Sequence, residues 1–349
     1  MGDLAQGYRR VAGARISGVV TCVPPRKVTN EHFVPAFGEA GVAEVTKVVG
    51  VLERRWTDAS QTTADLCFLA AERLLGQLQW DRASVSALIF VSQTPDYRLP
   101  ATACELQARL GLGSACAAFD INLGCSGYTY GLWLAMTLAA QAPNGRVLLL
   151  VGDTISKTVD PNDRATATVF GDAGSATAIE ADANAPAAHF VFGSDGNGSR
   201  RLIIPEGCSR VDTELPESFG QRDRQKLFMD GPEIFNFTLR VVPQCVQEVC
   251  SKSGRTPDEI ALFLFHQANA FMLRHLAKKM KLDPAKVPLN IERFGNVSSA
   301  SIPLLIVTSA AERIRSESLP ILMAGFGVGF SWCSAVVEFS QPRVVELID

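Results

Sequence analysis

Short apolar runs alternate along the chain with longer amphipathic segments. Five of the runs predict buried strands, and they lie at residues 87–92, 118–122, 146–151, 261–265 and 321–325. Residues 64–78 place leucine or alanine at helical spacing after Thr62 and Thr63, which are suitable helix caps. Residues 127–142 are apolar on nearly every side and predict a buried helix that ends at Pro143. Strands that alternate with helices indicate a layered α/β fold.

The second half of the chain contains two further landmarks. An alanine-rich shift in composition at residues 181–188 suggests a boundary between the halves 1–180 and 181–349, although no repeat is visible between them. The polar residues 206–225 predict a surface excursion. Pro243 lies inside a helical pattern and is expected to kink or split that helix.

Composition narrows the class of protein. The 349 residues are 47% hydrophobic and 20% charged, a balance that provides a large core. A net charge of -3 without a long basic block does not favour nucleic-acid binding. The N-terminus has no apolar signal segment, and no apolar run approaches the ~20 residues of a membrane span. We expect a cytoplasmic protein without a membrane partner.

The nine cysteines are scattered and form no Cys-x-x-Cys pair. This pattern is typical of reduced thiols and not of a disulfide framework or a metal site. Cys125 differs from the others, because it precedes Ser126-Gly127 between a predicted strand and the apolar helix. There the helix N-terminus is expected to favour the thiolate and lower the pKa of the thiol. Taken alone, the segment fits a nucleophile or a packed cysteine.

Three later segments also carry polar or glycine-rich chemistry. An apolar strand ends at His266, which begins the sequence His-Gln-Ala-Asn. Asn296 follows Gly295 in a turn, and residues 325–329 form a glycine-rich turn between two apolar runs. Each has an ordinary structural explanation, as a packed histidine or as turn chemistry.

Together and in this order, the four segments closely resemble the ketoacyl-[acyl-carrier-protein] synthase III group of condensing enzymes. The nucleophile motif of that family matches Cys125-Ser126-Gly127, and its two later boxes match residues 266–269 and Gly295-Asn296. Further matching landmarks lie at residues 28–30, 50–55, 94–96, 160–164 and 170–174, and the resemblance runs from about residue 16 to residue 339.

The resemblance implies a duplicated five-layer α/β/α/β/α thiolase fold in a tight homodimer. The half 1–180 would then carry the cysteine, and the half 181–349 the histidine and asparagine. The implied enzyme is a 3-oxoacyl-[acyl-carrier-protein] synthase III type acyltransferase. It would acylate Cys125 and then condense the acyl group with a malonyl-carrier thioester in fatty-acid or related acyl-chain biosynthesis. The implied partners are acyl carrier protein and an acyl-CoA or acyl-carrier donor, and no cofactor or metal is expected.

The resemblance also assigns roles to individual residues. Cys125 is the nucleophile, and His266 with Asn296 stabilises the enolate that decarboxylation forms. The main-chain N–H groups of Cys125 and Val328 form the oxyanion hole. Leu99 is expected to close the acyl pocket of the partner subunit, or else to pack in the dimer interface.

Several positions depart from the family pattern. CoA-primed members hold the adenine between a tryptophan and an arginine, which are Glu44 and Val48 here. An arginine after the His-Gln-Ala-Asn box is replaced by Phe271, whereas Arg164 of the other nucleotide-contacting motif is retained. These departures count against acetyl-CoA priming, because a carboxylate and a valine provide neither stacking nor phosphate pairing.

The segment at residues 271–281 predicts an amphipathic helix. Its apolar stripe lies opposite Arg274, Lys278 and Lys281, with Lys279 beside them. A basic face near His266 suits an acidic carrier protein, and we assign carrier or CoA binding to Arg164, Arg274, Lys278 and Lys279. A solvated helix face explains the same pattern.

Two other functions fit the same fold. A non-condensing acyltransferase would pass the Cys125 acyl group to an alcohol or amine, but Asn296 would then be idle. A catalytically silent carrier-binding subunit would not need the three reactive residues. Degradative thiolases and hydroxymethylglutaryl-CoA synthases match the boxes less well.

Overall fold

The computed structural model describes residues 7–142, 144–210 and 212–349. The strands are β1 (Tyr8–Val11), β2 (Ala14–Cys22), β3 (Lys27–Thr29), β4 (Glu53–Arg55), β5 (Ala87–Val91), β6 (Ala117–Ile121), β7 (Arg146–Thr154), β8 (Asp172–Ala181), β9 (Ala188–Ser194), β10 (Leu202–Ile203), β11 (Phe228–Met229), β12 (Leu262–Phe265), β13 (Ser318–Gly327), β14 (Ser331–Ser340) and β15 (Val344–Ile348). The helices are α1 (Val34–Val49), α2 (Thr63–Leu78), α3 (Thr102–Arg109), α4 (Gly127–Ala140), α5 (Arg164–Ala167), α6 (Gly231–Ser253), α7 (Ala270–Lys279), α8 (Ile291–Phe294), α9 (Ser301–Leu305) and α10 (Ala311–Ser316). Short 3-10 turns and a π-helical stretch at Ile306–Ala310 complete the chain.

Two large sheets dominate the structure. The first has the strand order β15-β2-β8-β7-β5-β6, and the second has the order β1-β9-β14-β13-β12. The terminal strands are exchanged, because β1 pairs with β9 in the second sheet and β15 pairs with β2 in the first. The boundary expected after residue 180 falls at the end of β8, and the division into two halves stays a prediction.

The central strands of both sheets are buried on both faces, whereas the edge strands β1 and β6 are partly exposed. In β7, Val147 and Leu149 face the central core, whereas Leu148 contacts the outer layer that contains α2 and α3. In β13, Ile321 faces the same central core and Leu322 contacts the layer of α6 and α7. Successive side chains of a strand point to opposite faces, so a continuous apolar run suits a sheet covered by helices on both sides.

Helices α4 and α9 lie between the two sheets and supply residues to the shared core. With α2 and α3 outside the first sheet and α6 and α7 outside the second, the order of layers is α/β/α/β/α. The predicted five-layer architecture is therefore confirmed.

The elements predicted from the apolar pattern are present. All five strands form, α2 begins at the predicted cap through a capping box between Thr62 and Asp65, and α4 is buried. The predicted helix end at Pro143 lies outside the described residues, and α4 ends at Ala140.

The expectation that Pro243 would split its helix is wrong, because α6 runs without interruption from residue 231 to residue 253. Buried side chains on both sides of the proline, such as Val242 and Cys245, keep the helix packed. Proline cannot donate to the carbonyl four residues earlier, which belongs to Leu239. Lys279 Nζ of α7 donates to that carbonyl oxygen at 2.8 Å. A side chain from the neighbouring helix thus replaces the missing donor.

None of the helices in the described part of the chain is both long and apolar enough to cross a membrane. The described residues of the predicted surface excursion, 206–210 and 212–225, are mostly exposed and follow the short strand β10.

Candidate active site

Cys125 lies between β6 and α4, two residues before the helix begins, and is 9% exposed. The residue that faces it is Gly327 at the end of β13. A Cβ atom at this glycine would lie 2.7 Å from Cys125 Cβ and 2.9 Å from its Sγ. Only glycine allows the two segments to approach so closely, which explains why the glycine-rich turn and the cysteine motif occur together.

The thiol is not the activated thiolate that the sequence suggested. Burial, together with the smaller effect of the Asp153 carboxylate, raises the pKa of Cys125 to about 11. The main-chain N–H groups of Val328 and Cys125 and the Ser298 hydroxyl act in the opposite direction. The expected lowering of the pKa is therefore wrong, because desolvation of a buried thiol outweighs the helix N-terminus. At rest the group is a thiol.

The turn between β13 and β14 holds Val328 in place. Ser331 Oγ donates to the Val328 carbonyl oxygen at 2.8 Å and lies 2.7 Å from Ser126 Oγ. The turn is thereby fastened to the residue after Cys125. This arrangement places the Val328 and Cys125 N–H groups at the sulfur, where both contribute to its pKa. Two such donors at one sulfur suit an oxyanion hole.

His266 follows β12 and is 2% exposed. The rest of its box fixes the loop. Gln267 Nε2 donates to the carbonyl oxygen of Phe265 at 2.9 Å, and its Oε1 accepts from the Asn290 N–H at 3.2 Å. Asn269 caps α7 by accepting from the Met272 N–H at 2.7 Å. Burial lowers the pKa of His266 to about 3, so the imidazole is neutral at physiological pH.

The tautomer of His266 depends on Ser301. Ser301 Oγ lies 3.1 Å from His266 Nδ1 and 2.8 Å from the Ser298 carbonyl oxygen. The single hydroxyl hydrogen goes to one of these two acceptors. Donation to Nδ1 leaves the hydrogen of the ring on Nε2, which is the form that donates to a substrate oxygen.

Asn296 is 6% exposed and is held on both sides. Its main-chain N–H donates to Val169 at 2.9 Å, and its carbonyl oxygen accepts from Gly171 at 3.1 Å. Gly295 precedes it with a φ of 69°, and a Cβ there would lie 2.6 Å from the Val169 oxygen. The Ser298 N–H donates to Asn296 Oδ1 at 2.9 Å. Because Oδ1 is occupied, Nδ2 is the group available to a ligand.

One cavity of about 770 Å³ contains all three side chains. Cys125, His266, Asn296 and Val328 line it together. Its walls are mostly apolar, and they include Glu206, Cys208 and Gln225 from the polar stretch that the sequence placed at the surface. The predicted surface excursion thus forms part of the cavity wall. No group of three or more His, Cys, Asp or Glu residues in the described ranges is arranged to hold a metal ion.

The residues that the sequence assigned to substrate binding lie outside the cavity that contains Cys125, His266 and Asn296. Leu99 is 82% exposed in the single chain and does not line the cavity. Arg164 Nη1 lies 3.1 Å from Glu44 Oε2, so the retained arginine is paired with the residue that replaces the family tryptophan. Val48 and Phe271 are both exposed.

The basic face of α7 forms with Arg274 and Lys278, whereas Lys281, predicted on the same helix, lies beyond its end at Lys279. The side chains of Arg274, Lys278 and Lys281 are exposed and have no hydrogen-bond or ion-pair partner in the described residues. They line a groove of about 520 Å³ whose other walls include Leu273. Lys279 differs, because its Nζ is bound to the Leu239 carbonyl oxygen.

The sequence analysis did not identify the buried polar residues that support Cys125, His266 and Asn296. Asp153 is fully buried and accepts hydrogen bonds from Ser299 and Gln93, while Ser298 and Ser301 orient Asn296 and His266. The serine-rich stretch after Asn296 is visible in the sequence. Its partner Asp153 is 146 positions away and gave no signal.

Comparisons with known proteins identify the same family. Residues 119–196 match the sequence profile described as 3-oxoacyl-[acyl-carrier-protein (ACP)] synthase III, and residues 250–339 match the profile of its C-terminal part. A putative 3-oxoacyl-[acyl-carrier-protein] synthase 3 of Campylobacter jejuni is 37% identical over 94% of each chain.

Solved structures agree. The crystal structure of a 3-oxoacyl-(acyl-carrier protein) synthase of Burkholderia xenovorans superposes with a TM-score of 0.94, at 50% identity and 98% coverage of both chains. A β-ketoacyl-[acyl carrier protein] synthase III of Thermus thermophilus gives a TM-score of 0.81 at 35% identity, covering 93% of this chain and 98% of the other.

The five layers and the buried cysteine define an acyltransferase of the thiolase fold. More narrowly, the chain belongs to the 3-oxoacyl-[acyl-carrier-protein] synthase III family.

Proposed function

We propose that this enzyme transfers an acyl group to Cys125 and then extends it by decarboxylative Claisen condensation with a malonyl-carrier thioester, in fatty-acid or related acyl-chain biosynthesis. The observation that carries the proposal is the orientation of Asn296. Its Oδ1 accepts from Ser298, which leaves Nδ2 as a donor in the cavity that contains Cys125. A donor there has a purpose when an enolate oxygen forms beside an acylated cysteine.

Acyl transfer begins with a neutral thiol. The sulfur attacks the thioester carbonyl, and its proton leaves with the thiol of the carrier, so no net proton is gained or lost. The tetrahedral oxyanion is stabilised by the main-chain N–H groups of Cys125 and Val328, which already converge on the sulfur. Because the donors are main-chain groups, the valine side chain does not matter for this step.

Condensation uses the other two side chains. Loss of carbon dioxide from the malonyl thioester yields an enolate, whose oxygen accepts from His266 Nε2 and Asn296 Nδ2. His266 performs this role as a neutral imidazole, which agrees with a pKa lowered to about 3. The role requires the ring hydrogen on Nε2, so the Ser301 hydroxyl hydrogen would turn from the Ser298 carbonyl oxygen to Nδ1. The enolate carbon attacks the acyl carbonyl on Cys125 and expels the Cys125 thiolate, which takes up one proton from the solvent to regenerate the thiol. No cofactor or metal takes part, since the substrates arrive as activated thioesters.

Carrier protein is the partner that the surface favours for both substrates. Glu44 already neutralises Arg164, and Val48 and Phe271 provide no cation for the phosphates of CoA. The unpaired cations of α7, Arg274 and Lys278, are available to an acidic carrier. We assign a weaker role in docking to Lys279, because its ammonium group is already bound.

We further propose that the enzyme is a homodimer. Strand β6 is one of the two edge strands of the first sheet, and Leu99, which precedes α3, is 82% exposed. An open edge strand and an exposed leucine are unfavourable in water, and pairing with a second copy would cover both. Leu99 would then reach the acyl pocket of the partner. All nine cysteines are free thiols, which supports a cytoplasmic location.

The test separates this function from its two alternatives. The purified enzyme is mixed with an acyl-carrier donor, and the intact mass is measured before and after addition of malonyl carrier. We expect a stable acyl-enzyme, followed by release of carbon dioxide and of a product two carbons longer. Acylation without carbon dioxide release would support the non-condensing acyltransferase. Absence of acylation with every donor of a CoA and carrier panel would support a silent carrier-binding subunit.

A further inference from the structure

A fully buried carboxylate lies beside the reactive cysteine. Asp153, near the end of β7, is 0% exposed. Its Oδ1 accepts from the Gln93 N–H at 2.7 Å and from Ser92 Oγ at 3.2 Å. Gln93 lines the cavity, and its side chain fills the space that a Cβ at Gly124 would need. Asp153 Oδ1 thus holds the loop of Ser92 and Gln93, which packs against Gly124, the residue before Cys125.

The second carboxylate oxygen, Oδ2, holds the turn that carries Asn296. Asp153 Oδ2 accepts from Ser299 Oγ at 2.6 Å and from the Ser299 N–H at 3.1 Å. Ser298, the preceding residue, donates its N–H to Asn296 Oδ1, and its side-chain hydroxyl acts to lower the pKa of both Asp153 and Cys125. The turn of residues 298–299 is therefore hydrogen-bonded to the Asp153 carboxylate through Ser299 and to the side-chain amide of Asn296 through Ser298.

Burial raises the pKa of Asp153, and no lysine or arginine of the described residues pairs with it. The hydrogen bonds that its two oxygens accept from Ser92, Gln93 and Ser299 act in the opposite direction and favour the carboxylate. The titratable groups around it are Cys67 on α2 and Cys125 before α4. His266 lines the same cavity as Cys125 and is neutral. A fixed negative charge disfavours a second negative charge nearby, and Cys125 is the group in the cavity that would acquire one.

We propose that Asp153 is a positioning residue of this enzyme: its carboxylate clamps the Asn296 turn and the Gln93 loop on opposite sides of Cys125 and holds a fixed negative charge beside the thiol. The proposal rests on the roles proposed above for Cys125 and Asn296. Ser299 is the partner that gives the clamp its hold on the turn.

The clamp has two separate consequences for the reaction. It keeps Asn296 Nδ2 aimed into the cavity, which matters for condensation and not for acyl transfer. Its charge adds to the effect of burial in keeping Cys125 in the thiol form until an electrophile arrives, which limits reaction of the cysteine with other reagents. A residue with a purely structural role would affect neither the protonation of the thiol nor one half-reaction selectively.

The test uses Asp153→Asn and Ser299→Ala in the full-length enzyme. Alkylation of Cys125 by iodoacetamide is followed from pH 7 to 10, with peptide mass spectrometry to separate it from exposed cysteines such as Cys104 and Cys208. Loss of the charge in Asp153→Asn should raise the alkylation rate at pH 8 by about three- to tenfold. Ser299→Ala keeps the charge and should leave the alkylation rate within about twofold of wild type.

Condensation is measured in the same variants at saturating carrier. Loss of a hydrogen bond to a buried carboxylate should lower kcat by about tenfold in Ser299→Ala, with acyl-enzyme formation nearly unchanged. The double variant Asp153→Asn with Ser299→Ala should condense no more slowly than Asp153→Asn alone, because both substitutions remove the same hydrogen bond to the Asn296 turn.

Asp172→Asn is the matched control. Asp172 is also fully buried and accepts four hydrogen bonds, from Thr57 and Ser156, but it does not contribute to the pKa of Cys125. It should lose comparable stability without a change in the alkylation profile. An alkylation rate unmoved in folded Asp153→Asn, or wild-type condensation in Ser299→Ala, would overturn the proposal. If wild type itself forms no acyl-enzyme, the proposed function fails instead.

Discussion

Glu44 Oε2 lies 3.1 Å from Arg164 Nη1, so a carboxylate on α1 pairs with the arginine expected to contact a nucleotide. Both side chains are substantially exposed, and the pair contributes little to stability. Its importance is electrostatic, because the arginine is no longer a free cation for a phosphate group.

Removal of this carboxylate should improve the use of CoA. We expect Glu44→Gln to raise kcat/KM for acylation by acyl-CoA by about three- to tenfold, with little change for a short acyl-pantetheine. Glu39→Gln, an exposed glutamate on the same helix, is the control. An equal change with both donors would show that the pair does not act through the nucleotide.

Cys125→Ala should abolish the acyl-enzyme and leave the fold intact, because the change removes one sulfur atom. Intact mass after incubation with acyl donors measures this, with Cys104→Ala, at an exposed cysteine, as the control. Acyl groups that accumulate on another cysteine of Cys125→Ala would show that the nucleophile is wrongly assigned.

The half-reactions should separate in His266→Ala and Asn296→Ala. Each should lose condensation by about 100- to 1,000-fold, the effect of removing one donor to a developing oxyanion. Both should still acylate Cys125 measurably, because the donors for that step are main-chain groups. Carbon dioxide release and intact mass measure the two steps. Unchanged condensation in Asn296→Ala would remove Asn296 from the site.

Charge reversal on α7 should weaken carrier docking. Arg274→Glu with Lys278→Glu is expected to raise KM for malonyl carrier by about tenfold at low salt and to leave a malonyl-pantetheine thioester unaffected. The effect should fade at 1 M salt, where the Debye length is about 3 Å. Arg73→Glu on α2, in the opposite outer layer, is the control.

Lys279→Glu should behave differently from its neighbours. It leaves the Leu239 carbonyl without a donor, so we expect lower thermal stability and a smaller effect on the carrier. If the double variant Arg274→Glu with Lys278→Glu lost activity equally with carrier and pantetheine substrates, as Lys279→Glu would through unfolding, damage to folding would explain the loss and the docking role would be excluded.

Stability should depend on pH through His266. Its pKa is about 3 in the folded protein and 6.5 ordinarily, so between these values the unfolded chain binds a proton that the folded protein does not. The contribution is complete above pH 6.5 and is lost as pH falls below it, at about 1.4 kcal/mol per pH unit.

Urea unfolding at pH 7 and pH 5, at one protein concentration, checks this prediction. The fall in unfolding free energy between the two pH values should be about 2 kcal/mol smaller in His266→Gln than in wild type. The buried carboxylates Asp153 and Asp172 contribute equally to the pH dependence of both proteins, so the comparison removes their contribution. An identical fall in both would show that His266 is accessible to protons in the folded state.

The sequence by itself determined the layered α/β architecture and the order of the catalytic segments. The apolar runs of β5, β7 and β13 are buried on both faces, and such runs have few other stable solutions. The cysteine, histidine and asparagine boxes were recognisable because each contains its own local structure. Asn269 caps α7 within its box, and Gly295 provides the left-handed turn before Asn296.

Only the tertiary structure decided the protonation and the surroundings of these residues. A helix N-terminus next in sequence favoured a thiolate at Cys125, but burial and Asp153, which is 28 positions away, favour the thiol. Pro243 should have interrupted α6, but packing and a lysine from another helix hold it together. Desolvation and long-range hydrogen bonds depend on contacts between segments that are distant in sequence. The local pattern of residues does not predict those contacts.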